Sequence, residues 1–320
     1  MSFALDMSAI PCDFLQADVT IRDRRHLLFC TPEQRTLLQN ASVWYLDGTF
    51  DVVRYPFVQL YGVHAFLTQD GGAKQVPLAF VMMSGKSKHD YKAVLKELRR
   101  SGGSPVAVVL DFEAAVWKAV RAVFPTASLR GCNFHWGQAV LRKMQALGLQ
   151  SAYHEDHGTR RFCRKLLALP FLPHEHIMPT FQSLRAQVVD NAPLEGLVNY
   201  IYNTWLHNSQ WTVQELSVYK RAVRTNNDVE GYHRRLQHRA QLGNLQFYLL
   251  LRLLHQEAQL VPLHAQLLTQ HALKRVQRSR TRKVQAKIFG LWSDYRHGRL
   301  QVAQLLRAIG RIYAPSAFAK

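Results

Sequence analysis

The sequence is poor in cysteine and acidic residues and has no long apolar run. Its four cysteines, Cys12, Cys30, Cys132 and Cys163, are too few for a disulfide scaffold in 320 residues and are typical of a reducing compartment. The first fifteen residues contain two acids and no Lys or Arg, the wrong pattern for a secretory signal. No apolar run approaches the ~20 residues of a membrane span. We therefore expect a protein that is neither secreted nor embedded in a membrane.

Positive charge is what the chain has in excess. Lys and Arg outnumber Asp and Glu by 41 to 22, which gives a formal net charge of +19 and a pI near 10.1. A polyanion such as nucleic acid is the natural partner of such a chain. Ribosomal, histone-like and membrane-surface proteins share this excess, so charge alone does not identify the function. With 48% hydrophobic residues, the chain is globular and long enough for one large or two moderate domains.

The first part of the chain predicts an α/β fold. Residues 1–40 are predicted as a helical lead-in whose helix begins at a capping box of Thr31 and Gln34. Apolar runs bounded by Gly, Pro and polar residues then predict three antiparallel strands. These runs lie at 42–50, 57–67 and 76–83, with a hairpin signal at Asp70-Gly71-Gly72.

Helices and strands alternate after these runs. Helices are predicted at 89–101 and 113–123, and strands at 106–110 and 127–132. A strand, helix, strand order predicts parallel pairing. The whole is thus predicted as a mixed five-stranded sheet, three antiparallel strands and then a βαβ unit, which is the order of ribonuclease-H-like folds.

Strand signals nearly vanish from residue 134 onward, and helical periodicity continues to the C-terminus with breaks near 170–173 and 191–193. We therefore predict a large all-α insertion and a helical C-terminal region. The predicted regions are the lead-in at 1–40, the core at 41–136 and 222–243, the helical insertion at 137–221 and the basic helical C-terminal region at 244–320.

Three acidic residues are candidate metal ligands. Asp47 closes the run 43–46, Asp111 closes the run 106–110, and Glu230 opens a basic helix. Acids at the ends of neighbouring strands lie about 5 Å apart, and a divalent cation removes their repulsion. Mg²⁺ and Mn²⁺ accept carboxylate oxygens, and two such ions about 3.5 to 4 Å apart can activate the attacking oxygen and stabilise the leaving oxygen of a phosphoryl displacement.

Each acid also has a purely structural interpretation. Asp47-Gly48 after a strand is typical of a turn, and Asp111 before a helix is typical of an N-cap. Glu230 has the pattern of an ordinary solvated helix acid. Glu113 and Asp228 are the next candidates for the third ligand.

Four motifs, taken in order, resemble the transposase domain of Mutator-like elements (MULE). They are Trp44-Tyr45-Leu46-Asp47-Gly48-Thr49-Phe50 with the runs 57–61 and 76–81; Asp111-Phe112-Glu113-Ala114-Ala115 with Val123-Phe124-Pro125; Cys132-Asn133-Phe134-His135-Trp136; and Asn226-Asn227 with Glu230 and His233. The resemblance extends from about residue 25 to 245. It implies a ribonuclease-H-like core, a helical insertion before the last acid, and a metal-binding triad of Asp47, Asp111 and Glu230 that cuts and joins DNA at element ends.

Basic and aromatic residues around these motifs are predicted to contact DNA. They are Trp136, Arg224, Asn226, Asn227, Tyr232, His233, Arg234 and Arg235, together with the basic segment residues Lys274, Arg275, Arg278, Arg280, Arg282 and Lys283. The basic segment is also typical of a nuclear-import signal or of a solvated helix face. For Trp136, a core position is the more common one.

Cys132 and His135 have a spacing compatible with a metal knuckle, which makes them further candidate metal ligands. No second tight pair of the usual form accompanies them, so we do not expect structural zinc. Packing and polar contact beside the active site is the favoured role for this motif.

The leading interpretation is a nuclear DDE-type transposase that uses two Mg²⁺ or Mn²⁺ ions to cleave duplex DNA and transfer its strands. Two alternatives stay open: a domesticated, catalytically silent nuclear DNA-binding protein derived from a transposase, and a ribonuclease-H-like nuclease. The Leu-rich segment 244–270 predicts a helix that packs on the domain or on a second copy, so a homodimer is possible.

Overall fold

The computed structural model describes residues 4–69, 72–221, 223, 227–240, 245–270 and 279–313. The chain forms two compact units, Met1–Leu129 with Asn226–Val276 and Arg130–Thr225 with Gln277–Lys320. Each unit is built from two separate stretches of sequence. The sequence predicts a single C-terminal region at 244–320, whereas these residues are divided between the two units.

Regular secondary structure accounts for most of the described residues. The strands are β1 (Leu15–Ile21), β2 (Arg24–Phe29), β3 (Val43–Thr49), β4 (Gln59–Gln69), β5 (Gly72–Met83), β6 (Ala107–Leu110) and β7 (Ser128–Gly131). The helices are α1 (Pro32–Asn40), α2 (Lys88–Arg100), α3 (Ala114–Val123), α4 (Asn133–Ala146), α5 (Gln150–Glu155), α6 (His157–Ala168), α7 (His174–Arg185), α8 (Ala192–Ile201), α9 (Val213–Leu216), α10 (Asn227–Arg239), α11 (Phe247–Thr269), α12 (Ser279–Arg296) and α13 (Val302–Ile312). Within the described ranges, none of these helices has the length and hydropathy needed to span a bilayer.

The strands form one mixed sheet in the order β1-β2-β5-β4-β3-β6-β7. β3, β4 and β5 pair antiparallel, and β6 pairs parallel to β3. These strands and the intervening helices α2 and α3 lie within a few residues of their predicted positions, so the mixed α/β class is confirmed. The capping box of Thr31 and Gln34 at the start of α1 is also confirmed.

The sheet has seven strands, so the prediction of five is wrong. The two additional strands, β1 and β2, form an antiparallel pair within the predicted helical lead-in, and β2 continues the sheet by pairing with β5. Their sequences hide the strand signal. β1 is the terminal strand of the sheet and has Asp18 and Thr20 on its exposed side, while β2 begins with Arg24 and Arg25. Charged residues at these positions mask the apolar pattern from which strands are predicted.

The main apolar cluster of the first unit joins the sheet to α10 and α11. Phe29 and Phe80, which are paired across β2 and β5, pack in one cluster with Leu236 of α10 and Leu251 of α11. Each is at most 1% exposed, and burying such a side chain contributes about 1.5 to 3 kcal/mol. α11 therefore packs on its own domain, which is one of the two arrangements predicted for the 244–270 helix, and it does so despite Pro262 in its interior.

A buried acid ties α10 to α11. Glu257 is only 3% exposed and forms ion pairs with Arg235 and Arg239, which lie one turn apart on α10. A buried carboxylate without such partners would be strongly destabilising. The two arginines therefore fix which face of α10 meets α11.

The regular elements of the second unit are helices throughout its described residues beyond β7, as predicted from residue 134 onward. The predicted break near 170–173 is present, because α6 is followed by a 3-10 turn at Leu169–Phe171 before α7. Asn191 caps α8 through its side chain, at the second predicted break.

Asp90 links the added strand β2 to α2. Its carboxylate accepts a hydrogen bond from Arg24 at 2.5 Å and one from the Ser87 backbone at 2.7 Å, and it lies 3.2 Å from Nε2 of the buried His26. Burial alone would raise the pKa of Asp90, but the hydrogen bonds from Ser87 and Arg24 outweigh it and lower the pKa. Burial also lowers the pKa of His26. Because the pKa values of Asp90 and His26 are both lowered, protonation of either group is less favourable in the folded than in the unfolded protein. The stability that these two groups contribute is therefore present at neutral pH and is lost as the pH falls.

We expect Asp90→Asn to lower the free energy of unfolding by about 2 to 3 kcal/mol at pH 7, because it removes a buried, charge-assisted acceptor. The difference from the wild type should shrink as the pH falls through the lowered pKa of Asp90. Urea unfolding at neutral and acidic pH measures both effects. Asp18→Asn, which removes a more exposed pair with Arg25, is the control and should cost less than about 1 kcal/mol. Equal losses for the two variants at pH 7 would contradict this account.

Candidate functional site

Asp47 lies inside strand β3, not in a turn. It pairs with Gly62 of β4, and the ladder continues to Thr49, so the interpretation of Asp47-Gly48 as a turn is wrong. The carboxylate is 5% exposed, and its Oδ1 accepts a hydrogen bond from the backbone N–H of Gly48 at 2.9 Å. Asp47 is therefore a buried acid whose orientation is set by a regular strand.

Asp111 follows β6 at the position that corresponds to Asp47 on β3. The two strands are parallel and pair Tyr45 with Val109, so each acid comes two residues after a paired position. Neighbouring strands lie about 5 Å apart, which places both residues at the same region of the sheet. The N-cap residue of α3 is Glu113, so the interpretation of Asp111 as the helix cap is wrong.

Glu230 lies in the first turn of α10, as predicted from the sequence. The helix buries Val229 and Leu236 on one face, Ala240 just after its end is also buried, and the side-chain amide of Gln237 donates hydrogen bonds to Thr49 and Asp51. These contacts anchor α10 where β3 ends.

The docking of α10 brings two acids together that are distant in the sequence. One carboxylate oxygen of Glu230 lies within 4.8 Å of one of Asp47. The two oxygens come from a strand and a helix of the same unit. No set of oxygens from Asp47, Asp111 and Glu230 lies within 4.8 Å of one another, so Asp111 is at the same region of the sheet but outside this close pair.

The electrostatics of the pair favour a cation. Two ionised carboxylates at this distance repel each other, more strongly in a partly buried site than in water. His233 places Nδ1 4.0 Å from Oδ2 of Asp47, close enough to offset the repulsion when protonated. His64, which packs on the same helix, does not contribute positive charge, because burial first and then His233 and Arg235 lower its pKa to about 3.

The donor set fits a hard divalent ion. Carboxylate oxygens are the preferred protein ligands of Mg²⁺ and Mn²⁺, and two oxygens on one such ion lie about 3 to 4 Å apart. The Asp47 and Glu230 oxygens reach this separation with little or no movement. The pair is thus a candidate metal centre.

A second acid accompanies Asp111. Glu113 accepts a hydrogen bond from the Tyr91 hydroxyl at 3.1 Å and lies 3.9 Å from Lys86. Burial first, and then the negative charge of Asp111, raise the pKa of Glu113, while Lys86 and Tyr91 oppose this rise without cancelling it. Glu113 is therefore a carboxyl within the electrostatic reach of Asp111, and it remains the alternative ligand that the sequence suggests.

His64 and Gly62 form a support that sequence reasoning missed. Gly62 lies opposite Asp47, and a Cβ at this position would come within 2.4 Å of the His64 ring. The centroid of the His64 ring lies 5.0 Å from that of Tyr232 and 6.2 Å from that of His233, so His64 forms part of the surface on which α10 packs. A glycine in the interior of a strand signals such a close approach and could have indicated this support.

Three residues predicted to contact DNA are buried, so these three predictions are wrong. Trp136 is 0% exposed, donates its indole N–H to the carbonyl of Leu167 and packs against Trp205. Tyr232 and His233 are each 7% exposed and belong to the buried face of α10. Side chains so enclosed do not offer a face to a nucleic acid. The spacing of Tyr232 and His233 with Val229 and Leu236, one apolar stripe of a helix, is a signal that could have placed them inside.

The other predicted DNA-contacting residues fall into two groups. Arg234 and Lys283 are exposed, and Arg235 is half-exposed although paired with Glu257. Their role remains a prediction. The rest lie outside the described residues, either entirely or in their side chains; these are Arg224, Asn226, Asn227, Lys274, Arg275, Arg278, Arg280 and Arg282.

Cys132 and His135 belong to the second unit, where the Cys132 thiol is buried. Cys163 on α6 is also buried, and burial raises the pKa of its thiol to about 12. A thiol with so high a pKa disfavours the thiolate form that metals bind. The ligand role of Cys132 and His135 stays a prediction.

Comparison with known proteins adds to this geometry. Residues 43–139 match the model of the MULE transposase domain. The resemblance predicted from the motifs is thereby confirmed over this segment, which includes Asp47 and Asp111 and ends before Glu230. The MULE match supports a transposase-related function. No curated protein matches the chain.

The role of His64 in positioning α10 can be tested by adding one methyl group at residue 62. We expect Gly62→Ala to displace the His64 ring and to lower the free energy of unfolding by about 1 to 3 kcal/mol, because the added Cβ overpacks a buried contact. Chemical denaturation measures the loss. The matched control is Gly231→Ala on α10, where an added Cβ meets nothing within 4 Å and better helix propensity should stabilise the protein by up to about 1 kcal/mol. Similar effects of both substitutions would contradict the proposed role of His64.

Proposed function

We propose that the protein is a DDE-type transposase of the Mutator-like class that cleaves duplex DNA and transfers the cut strand with divalent metal. The observation that carries the proposal is the approach of Asp47 and Glu230 oxygens to within 4.8 Å, with Asp47 inside the segment that matches the MULE transposase domain. Two acids far apart in the sequence are held against their mutual repulsion by the packing of α10. Such an arrangement gains stability when a cation binds.

The metal-binding residues in this proposal are Asp47, Asp111 and Glu230. When bound, Mg²⁺ or Mn²⁺ supplies Lewis-acid stabilisation of phosphoryl oxygens and lowers the pKa of the attacking water or 3′-hydroxyl. The backbone N–H of Gly48 orients Asp47 by its hydrogen bond to Oδ1. His233 faces Oδ2 of Asp47 and stabilises its ionised form when protonated. Asp111, which follows the neighbouring strand β6 at the position that corresponds to Asp47 on β3, is the third ligand of the proposal.

The proposed substrate is duplex DNA, in the nucleus. The net charge of +19 favours a polyanion, and the exposed Arg234 lies on α10, one turn beyond Glu230. Arg235 is partly engaged with Glu257, so its contribution to DNA binding should be smaller. A homodimer, as suggested by the Leu-rich α11, is part of the proposal only as an arrangement to be tested by sedimentation.

A catalytically silent, domesticated DNA-binding protein is the second candidate. It shares the positive charge and the fold but makes no use of the acidic pair. The two candidates differ in metal binding, because a silent site gives neither saturable Mn²⁺ binding nor metal-dependent nicking. The nuclease alternative is separated by substrate: a ribonuclease-H-like enzyme cuts an RNA–DNA hybrid in preference to duplex DNA.

The triad is tested by strand cleavage of a duplex with Mn²⁺. We expect Asp47→Asn, Asp111→Asn and Glu230→Gln each to lower the cleavage rate by at least about 100-fold, because each removes a charged ligand of the metal. Asp228→Asn is the matched control: it is an exposed acid in the same first turn of α10, and it should leave the rate close to that of the wild type.

One outcome of the same experiment would contradict the assignment of the metal ligands. Cleavage by the Asp47→Asn and Glu230→Gln proteins at the rate of the Asp228→Asn protein would exclude the acidic pair as the metal site. If only Asp111→Asn keeps its activity, Glu113→Gln identifies whether the neighbouring acid takes its place.

A further inference from the structure

A basic cleft lies in the second unit. The acidic pair of Asp47 and Glu230 belongs to the first unit. The cleft has a volume of about 510 Å³ and is lined by residues of α6, α8 and α13, by Asp156 before α6 and by the stretch that follows α7. Five of the lining residues are cations: Arg161, Arg164 and Lys165 on α6, and Arg307 and Arg311 on α13.

Helix geometry brings these five side chains to one place. Residues 161, 164 and 165 are spaced so that they share one face of α6, and residues 307 and 311 share one face of α13. The two helices pack closely because residue 310 is a glycine: a Cβ there would lie 3.1 Å from the carbonyl oxygen of Arg164. The five cations are thus positioned by two helices and not by a loop.

Positive charge dominates the described lining of the cleft. Among the described lining residues the one acid is Asp156, and its two oxygens accept hydrogen bonds from the backbone N–H groups of Gly158 and Thr159 at the start of α6. In the described part of the chain, none of the five cations forms an ion pair with Asp or Glu. Burial first, and then Arg307 and Arg161, lower the pKa of Lys165, which agrees with mutual repulsion among these groups.

The whole second unit is basic. It holds 21 Lys and Arg against 7 Asp and Glu, so 14 of the 19 net positive charges of the protein are found in it. Arg161, Arg307 and Arg311 are exposed. An anion that enters the cleft therefore meets accessible guanidinium groups in a field of one sign, the condition for bidentate phosphate contacts.

We propose that this cleft binds the phosphodiester backbone of duplex DNA, as a contact outside the cleavage site; the inference rests on the proposed function for the choice of DNA. The composition of the lining favours a duplex over a single strand, because single-strand sites present aromatic platforms on which bases stack, and among the described lining residues only Phe162 is aromatic. Guanidinium and ammonium contacts to phosphates are independent of base sequence.

The test is the affinity of the full chain for a duplex of about 30 base pairs in EDTA, where no cleavage occurs, measured by fluorescence anisotropy between about 50 and 200 mM KCl. For R161Q/K165Q/R307Q we expect at least a tenfold loss of affinity near 100 mM KCl and a slope of log K against log[KCl] that is smaller by about 2 to 3. The control R142Q/K287Q/R296Q removes two Arg and one Lys from other exposed positions of the same unit and should change the affinity less than about threefold. Circular dichroism checks that both variants fold.

Conservative variants and competitors complete the design. R161K/R307K keeps the charge and should retain most of the affinity. A single strand of the same length should compete more weakly than the duplex. Equal losses for the cleft and control variants, or wild-type affinity for the cleft variant, would overturn the inference, as would preferential binding of the single strand.

Failure of this inference and failure of the proposed function would give different experimental results. Adding R161Q/K165Q/R307Q to the Asp47→Asn protein should lower its affinity for the duplex in EDTA by the same factor as in the wild type, so a failure of the metal site appears as absent cleavage with the cleft effect intact. A failure of the cleft appears as wild-type salt dependence in R161Q/K165Q/R307Q while metal-dependent cleavage persists.

Discussion

The candidate site depends on the packing of α10 against the sheet around Gly62 and His64. That packing buries one face of the helix and holds Glu230 beside Asp47, two like charges that would otherwise separate. The Glu257 ion pairs and the Gln237 hydrogen bonds add polar anchors at the far end of the helix. Apolar burial and these polar contacts thus hold the two carboxylates together despite their repulsion, and binding of a cation would relieve that repulsion.

Much of the fold could be predicted because its strands and helices are locally consistent. The central strands β3 to β6 each contain an apolar run bounded by Gly, Pro or polar residues, and α1 begins at a capping box. The first two strands could not be predicted in the same way. Asp18 and the Arg24-Arg25 pair obscure their period, and their place in the sheet is decided by long-range pairing with β5, which no local pattern encodes.

The candidate site was predictable to a similar degree. Asp47 and Asp111 end apolar runs, and Glu230 belongs to the first turn of its helix, so their general positions follow from the sequence. The closeness of Asp47 and Glu230 depends on how one helix packs. Tyr232 and His233 were misplaced because aromatic and imidazole side chains suit both nucleic acid and a protein interior, and only burial distinguishes the two.

The two units are each built from two stretches that alternate along the sequence, and this order decides when each unit can be completed during translation. The first unit needs residues 226–276 to be complete, but the ribosome makes 130–225, the larger part of the second unit, before them. A nascent chain that has reached residue 225 therefore has Asp47 and Asp111 but not yet the helix that brings Glu230. The acidic pair is assembled late in translation, after most of both units has emerged, so a chain that ends at residue 225 lacks the close approach of Asp47 and Glu230.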